Sequence, residues 1–360
     1  MKKFLTILSA VLFTTLGIAQ DKGIQFDHNS TWKDLLAKAK QEKKLIVLDA
    51  FTSWCGPCRW MAKNVFTNDT VAEYYNKTFV CAKIDMEKGE GPEIAKQYAV
   101  RNYPTLLYIN GDGELIHRTC GVNYNGQAAM KFIEDGKTAL DPDKSLSAIK
   151  KKYDAGKLES AAVPAYLNML QSACMSAGAE AAKYLSAQPE KALTSRANWN
   201  IIRDYVDDPN AKEFVYLVNN NSAFASLYTK DSVDMKILET NLRYYQSKKD
   251  WVKYPAAAEA YINRFAKNDA NMLNSISWTF YERVEDKAAL EKAEVWAKRA
   301  TELNDSYAIN DTYACVLFKE GKKAEAQKAA DHAIELAKKN NEDYKSTQEL
   351  LDKIKAPLKQ

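Results

Sequence analysis

The sequence predicts an α/β domain followed by an all-helical region, and two observations support this order. Over the first 140 residues, short apolar runs that suit strands alternate with amphipathic stretches that suit helices. Beyond residue 144, apolar residues recur at helical spacing and no alternating strands are evident. The turn Asp-Pro-Asp-Lys at residues 141–144 is a plausible linker. We therefore expect an α/β domain over residues 20–140 and a helical domain over residues 145–360.

Hydrophobic periodicity assigns the elements of the α/β domain in order. Ser30 is expected to cap the first helix, and Asn-Gly-Asp-Gly after residue 109 is a hairpin turn signal between the last two strands. The first strand is apolar enough to be central in a sheet. The expected helices are 31–44, one from Cys55, one from about 68 to 75, 92–98 and 127–137. The expected strands are 45–51, 79–85, 105–109 and 114–119.

The length and composition are those of an ordinary soluble protein, and the net charge gives no support for two kinds of binding partner. The chain has 360 residues, enough for two domains, and 46% of them are hydrophobic and 27% charged, as in ordinary soluble proteins. The formal net charge is only +4. So small an excess gives no reason to expect binding to nucleic acid or to an anionic membrane surface.

The first 19 residues resemble a secretion signal. A basic start at Lys2 and Lys3 precedes an uncharged apolar run over residues 4–18, and the small residues Gly17 and Ala19 suit cleavage before residue 20. An uncleaved membrane anchor is the alternative, although the run is shorter than the roughly 20 residues that a spanning helix needs. We expect an exported, soluble protein, in a bacterial periplasm.

A close cysteine pair is the strongest chemical signal in the chain. Cys55 and Cys58 lie between an apolar strand and a helical pattern, and a helix N-terminus favours the thiolate that attacks disulfides. This placement predicts a thiol–disulfide exchange enzyme. Zinc sites commonly need two close pairs, so we expect no metal and no cofactor besides this redox-active pair. Cys81 and Cys120 lie in strand-like runs, where we expect small buried side chains, with a pairing as the alternative.

Residues from about 24 to 140 resemble a thioredoxin domain, and four separated matches carry the resemblance. The first is Trp-Cys-Gly-Pro-Cys over residues 54–58, and the second is Asp49, six residues before the first cysteine. The third is the run 82–85, which includes Lys83, and the fourth is the run 100–105. The first helix and the helix after the cysteine pair also look like exported members of this family, such as the soluble domain of DsbD.

The resemblance implies a fold and a set of roles. It implies a thioredoxin fold with Asp49 as a buried proton acceptor for Cys58, and a cis bond before Pro104 opposite the cysteines. It leaves Lys83 either near Asp49 or, as we expect, facing solvent. Cys55, expected to be the more exposed cysteine, would attack a client disulfide, and Cys58 would release the product. The client-contacting residues implied are Trp54, Gly56, Pro57, Tyr103 and Pro104.

Two departures from thioredoxin, and one departure from protein disulfide isomerases, bear on the direction of the reaction. Phe51 stands where the family usually has a second tryptophan, and Tyr103 resembles the residue before the proline in protein disulfide isomerases. The dipeptide Gly56-Pro57 lacks the histidine of those isomerases, which would stabilise a thiolate. We therefore expect a reductant, with a potential near thioredoxin's roughly −270 mV, not the isomerases' −180 mV.

The helical region resembles tetratricopeptide hairpins. The segment 153–161 recurs at 318–326 as an aromatic residue, a glycine three positions later and an alanine eight positions later, which we read as small residues where two helices pack closely. Leu303 and Leu336 are 33 positions apart, near the roughly 34-residue period of that repeat. A non-repeating helical bundle is the alternative, and the region would serve partner binding or assembly.

Three classes of function follow from these features. The first is a periplasmic reductase of protein disulfides that is active in redox homeostasis. A membrane electron donor like DsbD would reduce its cysteine pair again after each turnover. The second is a disulfide oxidase or isomerase, and the third is a helical binding scaffold whose thioredoxin domain is structural. The sequence does not name the clients or the oligomeric state.

Overall fold

The computed structural model describes residues 23–356, so the expected signal at residues 1–19 lies outside the described part. Its N-terminal part contains a mixed four-stranded sheet in the order β2-β1-β3-β4. Strand β1 is parallel to β2 and antiparallel to β3, and β4 is antiparallel to β3. The strands are β1 (Ile46–Phe51), β2 (Val80–Asp85), β3 (Thr105–Ile109) and β4 (Leu115–Cys120).

Helices alternate with these strands as the periodicity predicted, and the predicted thioredoxin fold is confirmed. The N-terminal helices are α1 (Trp32–Glu42), α2 (Gly56–Asn64), α3 (Asp69–Thr78), α4 (Gly91–Gln97), α5 (Ala128–Leu140), α6 (Leu146–Asp154) and α7 (Val163–Ser172), with a 3-10 turn at Ser160–Ala162. The predicted cap of α1 was wrong by one residue. The Thr31 hydroxyl accepts the Asp34 N–H, whereas the Ser30 hydroxyl is occupied by the Asp27 carboxylate at 2.9 Å.

The sheet is covered on both faces by apolar side chains. Because side chains alternate along a strand, Ile46 and Leu48 of β1 face the core that contains α1 and α4. Val47, between them, belongs to the opposite core, which α2, α3 and α5 complete. The alternation places Asp49 on the same face as Val47. The fold therefore carries a carboxyl group into an apolar core directly below the residues that lead to α2.

The first compact unit extends past the expected linker and ends at Ala177. Helix α6 packs against β4, and the buried His117 accepts the Leu146 N–H through Nδ1 at 3.3 Å. Cys120, at the end of β4, forms a disulfide with Cys174, just after α7. The expectation of an unpaired buried Cys120 was therefore wrong, because α7 returns to the sheet edge. Cys81 is buried and unpaired, as expected.

The second compact unit begins at Gly178, and its described elements are all helical, as predicted. Helix α14 packs against α15 and α16, and α16 packs against α17. Among residues 23–356, no helix is both long and apolar enough to cross a bilayer. The elements are α8 (Gly178–Ser186), a 3-10 helix (Glu190–Thr194), α9 (Arg196–Tyr205), α10 (Lys212–Asn219), α11 (Asn221–Tyr228), α12 (Lys230–Ser247), α13 (Tyr254–Tyr261), a π-helical turn (Ile262–Ala266), α14 (Ala270–Arg283), α15 (Lys287–Leu303), α16 (Tyr307–Lys319), α17 (Lys323–Asn340) and α18 (Lys345–Lys355).

The two glycines of the recurring motif have a different cause from the one expected, whereas its Ala326 is buried in a helical core, as expected. Gly156 follows α6 and Gly321 follows α16, and both have positive φ, at 68° and 83°. An added Cβ would meet no atom within 4 Å at either position, so neither glycine lies at a close helix contact. The motif ends two helices through a backbone conformation that glycine adopts without strain.

Candidate active site

The cysteine pair lies at the start of α2, as the sequence predicted. Cys55 and Cys58 form a disulfide, and Cys55 is the residue that caps the helix. The Cys55 Sγ accepts the Cys58 N–H at 3.1 Å, and Pro57 in the first turn removes a donor that the helix cannot use. A helix N-terminus stabilises negative charge at its cap, so the geometry favours a thiolate at Cys55 once the disulfide opens.

Exposure does not distinguish the two cysteines in this state. Each residue is 2% exposed, so the expectation of a more exposed Cys55 was wrong for the closed disulfide. The bond holds both sulfur atoms together against the end of the helix. The difference between Cys55 and Cys58 lies in their position relative to the helix N-terminus. The carbonyl of Thr52, a buried residue that sequence reasoning missed, accepts the Cys55 N–H at 3.2 Å and fixes this position.

An aromatic pair lies beside the disulfide. Trp54 is 62% exposed, and its ring meets the ring of Tyr103 edge-on at 6.0 Å between centroids. Its Nε1 donates to the Glu87 carboxylate at 3.0 Å, a contact that sequence reasoning also missed. Burial, together with the negative charges of Glu87 and Asp85, raises the pKa of Tyr103, so its hydroxyl remains protonated at neutral pH. The exposed Trp54 ring and the half-buried Tyr103 ring together form a surface that is apolar on its face and polar at its edge.

The Tyr103–Pro104 peptide bond is cis, as the resemblance implied. The Pro104 carbonyl accepts the Gly121 N–H at 2.8 Å, which ties this loop to the end of β4. Within residues 23–356, the backbone N–H and C=O of Tyr103 make no hydrogen bond. Within the described residues, this loop therefore leaves the backbone of Tyr103 unpaired, whereas the carbonyl of Pro104 is already used.

Asp49 is buried beneath this surface and is paired with a lysine. Its side chain is 1% exposed, and its Oδ2 lies 2.8 Å from the Lys83 Nζ. Burial raises the pKa of Asp49, and the Lys83 ammonium partly offsets that rise. The expectation of a solvent-facing Lys83 was wrong. Lys83 lies two residues after the buried Cys81 and pairs with Asp49 in the parallel register, so strand alternation could have revealed it.

Three aromatic rings enclose the Lys83 ammonium. Its Nζ lies 4.6 Å from the ring centroid of Phe51, 5.3 Å from that of Phe66 and 5.8 Å from that of Phe26. The negative faces of aromatic rings attract a cation at these distances, most strongly where water is excluded. Phe51, noted as a departure from thioredoxin, therefore contacts the cation that pairs with Asp49.

Comparisons with known proteins agree with this geometry. The thioredoxin family model matches residues 24–134. Thioredoxin H4 of Arabidopsis thaliana is 37% identical over 95 residues, which are 26% of this chain and 75% of that protein. The chain belongs to the thioredoxin family. A thioredoxin of Chlorobaculum thiosulfatiphilum is 30% identical over 105 residues, which are 29% of this chain and 92% of that protein.

This thioredoxin-family chain is also similar to a solved structure. A Bacteroides thetaiotaomicron protein described as a candidate disulphide-isomerase is 42% identical, covers 34% of this chain and 98% of its own, and has a TM-score of 0.30. The thioredoxin-family protein is a thiol–disulfide oxidoreductase, and Cys55–Cys58 is its disulfide at the family's motif. Among the described residues, no group of three His, Cys, Asp or Glu side chains is placed to hold a metal ion.

Proposed function

We propose that this protein reduces disulfides in client proteins through Cys55 and Cys58. The observation that carries the proposal is the position of the Cys55 Sγ at the cap of α2, where it accepts the Cys58 N–H. In the reduced enzyme, the Cys55 thiolate attacks one client sulfur, the client S–S bond breaks, and the other client sulfur leaves as a thiolate. Cys58 then attacks the Cys55 Sγ and releases the second client sulfur. Two electrons pass to the client, and the enzyme ends with the Cys55–Cys58 disulfide.

Asp49 is proposed to take the proton from Cys58 before the second step. A base is most effective when its pKa lies near the working pH, and burial raises the pKa of this carboxyl towards that range. Lys83 limits the rise, since its ammonium favours the ionised carboxylate. Lys83 is therefore proposed as a positioning residue that keeps Asp49 able to ionise in an apolar core.

The proposed client surface combines Trp54, Gly56, Pro57, Tyr103 and Pro104. The exposed Trp54 supplies apolar area beside Cys55, and Gly56 keeps the approach to the sulfur free of a side chain. The free backbone N–H and C=O of Tyr103 can pair with an extended client segment, while the buried Pro104 fixes the loop that presents Tyr103. A client strand would thus be held by Tyr103 while its disulfide faces Cys55.

The reduction potential tests the proposed direction. Wild-type protein equilibrated in graded glutathione buffers and quenched by alkylation should show a Cys55–Cys58 potential nearer to thioredoxin's roughly −270 mV than to −180 mV. Pro57→His should raise the potential, because a cationic side chain would stabilise the thiolate. Tyr103, which resembles the isomerases, favours the second candidate, a disulfide oxidase or isomerase. A wild-type potential above about −200 mV would decide for that candidate.

We further propose that the protein acts outside the cytoplasm after cleavage before Gln20. The basic start and apolar run of residues 1–19 support this. A membrane protein like DsbD would return electrons to the Cys55–Cys58 disulfide, and the helical unit, proposed to be tetratricopeptide-like, would bind partners or assemble copies. Amino-terminal sequencing of the protein from a periplasmic fraction should begin near Gln20. Recovery of the chain with Met1 from the cytosol would contradict export.

A further inference from the structure

The second disulfide differs from the catalytic one in its accessibility. Cys174 is exposed and Cys120 is half-buried, whereas Cys55 and Cys58 are both buried. Exposed disulfides are the ones that exchange readily with thiols, because a thiolate must reach a sulfur atom along the S–S bond. In the closed enzyme, the disulfide that solvent reaches most easily is therefore not the one at the family's motif.

We propose that Cys120–Cys174 is a second thiol–disulfide exchange site, opened by a low-molecular-weight thiol at the Cys174 sulfur. The thiolate attacks the Cys174 Sγ, the bond to Cys120 breaks, and Cys120 leaves as a thiolate that takes a proton from water. A second thiol molecule then attacks the adduct and leaves Cys174 as a thiol. The thiol is oxidised to its disulfide, and the pair of cysteines gains two electrons. This proposal does not depend on the direction in which Cys55 and Cys58 work.

Two features direct the attack to Cys174 and away from Cys120. The first is exposure, since Cys174 is exposed whereas Cys120 is half-buried. The second is electrostatic: Cys174 follows the C-terminus of α7, and its N–H still bonds to the Gln171 carbonyl at 2.8 Å. The negative end of a helix disfavours a thiolate, so the leaving thiolate forms more readily on Cys120 than on Cys174.

The Cys120–Cys174 disulfide lies next to the loop of the proposed client surface, so its opening would affect that surface. Cys120 pairs with Thr105 across β3 and β4, and the next residue, Gly121, donates its N–H to Pro104. The disulfide therefore fastens the end of α7 to the strand that supports the Tyr103–Pro104 loop. Opening it frees α7 at a point one residue from that support.

A cavity of about 580 Å³ lies against the same disulfide. Its lining includes Met61 of α2 and Val65, the residue after that helix, together with Cys120 and Ser172. The helix that carries Cys58 and the residues fastened by the second disulfide thus share one cavity. Release of α7 would change the wall of a cavity that reaches the active-site helix.

The test uses full-length Cys55→Ser/Cys58→Ser protein, which leaves Cys120–Cys174 as the only disulfide in the described residues. The protein is held in glutathione buffers without denaturant, alkylated and analysed by peptide mass spectrometry. We expect Cys120 and Cys174 to be alkylated and trapped glutathione to be found on Cys174. Cys81 and Cys315 are internal controls of folding, because burial raises the pKa of both thiols to about 12. They should stay unmodified.

Two outcomes would overturn the proposal. Either Cys120 and Cys174 would react only together with Cys81 and Cys315, as the chain unfolds, or the glutathione adduct would lie on Cys120. A matched pair of variants gives a second measurement. In the Cys55→Ser/Cys58→Ser background, Cys120→Ser leaves Cys174 alone and Cys174→Ser leaves Cys120 alone, and each is reacted with a small aromatic disulfide from pH 6 to 10. Cys174 should reach a several-fold higher plateau rate because it is exposed, with its midpoint at higher pH because the end of α7 disfavours its thiolate. A lower plateau or a lower midpoint for Cys174 would contradict attack at Cys174.

Discussion

Lys83 and Asp49 lie opposite each other on the parallel strands β2 and β1, with 2.8 Å between the Lys83 Nζ and the Asp49 Oδ2. Both groups are largely removed from water, so each depends on the other for compensation of its charge. Removal of one partner of a buried pair leaves an uncompensated charge, which commonly changes its protonation state. This coupling gives a direct way to separate the proposed roles of the two residues.

Lys83→Met should shift the pH dependence of the second step to higher pH. The ammonium lowers the pKa of Asp49, so its loss raises that pKa further, and the carboxylate needed as a base then forms only at higher pH. The measurement is the decay rate of a preformed mixed disulfide on Cys55 between pH 5 and 9. Lys40→Met is the control, since it breaks an exposed ion pair with Asp112. An unshifted profile in Lys83→Met would rule out Asp49 as the base.

Cys55→Ser and Cys58→Ser should fail in different ways. Cys55→Ser should abolish disulfide reduction, because the thiolate at the helix cap is lost. Cys58→Ser should instead accumulate clients as stable mixed disulfides, because the first attack survives and the second does not. Non-reducing electrophoresis of both variants gives the result. Clients bound to Cys58 in the Cys55→Ser variant would reverse the roles, and turnover by Cys58→Ser would exclude the two-cysteine mechanism.

His117 should make the first unit less stable as pH falls. Burial lowers its pKa to about 4, so the folded state holds the neutral ring while the unfolded chain takes up a proton near pH 6.5. Its contribution is present above the unfolded pKa and is lost as pH falls from about 6.5 to about 4, by up to about 3 kcal/mol. Protonation would also remove the acceptor of the Leu146 N–H.

Hydrogen–deuterium exchange of the β1 and β3 amides follows the stability of this unit between pH 4 and 7. His117→Gln should flatten the pH dependence relative to wild type. His28→Gln is the matched control, because His28 is exposed, and it should keep the wild-type slope. Identical slopes for wild type and His117→Gln would show that this ring does not titrate on unfolding.

Two fragments should separate the thioredoxin core from the helices that follow it. Residues 20–140 should fold and reduce a small model disulfide about as well as the whole protein, since the strands and the cysteine pair are complete. Residues 20–177 should be more stable, by about 2–4 kcal/mol for the disulfide alone. Fragment 20–177 with Cys120→Ser/Cys174→Ser would separate the stabilisation by the disulfide from the stabilisation by the packing of α6. Equal stability of the two fragments in urea, or an insoluble shorter fragment, would contradict this division.

The sequence was most informative where a residue's role depends on its neighbours in the chain. Cys55 and Cys58 were placed by their spacing between one strand and one helix, the resemblance to thioredoxin implied the buried Asp49, and periodicity set the strand ends to within one residue. Cys174 could not be found in this way, because its pairing depends on where α7 ends in space, 54 residues after Cys120. Lys83 was open to prediction, but only by following the face of β2 onward from Cys81.

The buried Cys81 has a consequence for how the chain acquires its disulfides during synthesis. Cys120 is made before Cys174, while Cys81, 39 residues upstream, is already present as a competing partner. Loop closure prefers the shorter pairing by only about 0.3 kcal/mol, so chain length barely chooses between them. The packing of β2 into the sheet favours the Cys120–Cys174 pairing instead. Burial raises the pKa of the Cys81 thiol to about 12, which leaves little Cys81 thiolate to react with Cys120. If oxidant arrives before β2 docks, Cys81 can capture Cys120, and the nascent chain then needs an isomerase to recover its native pairing.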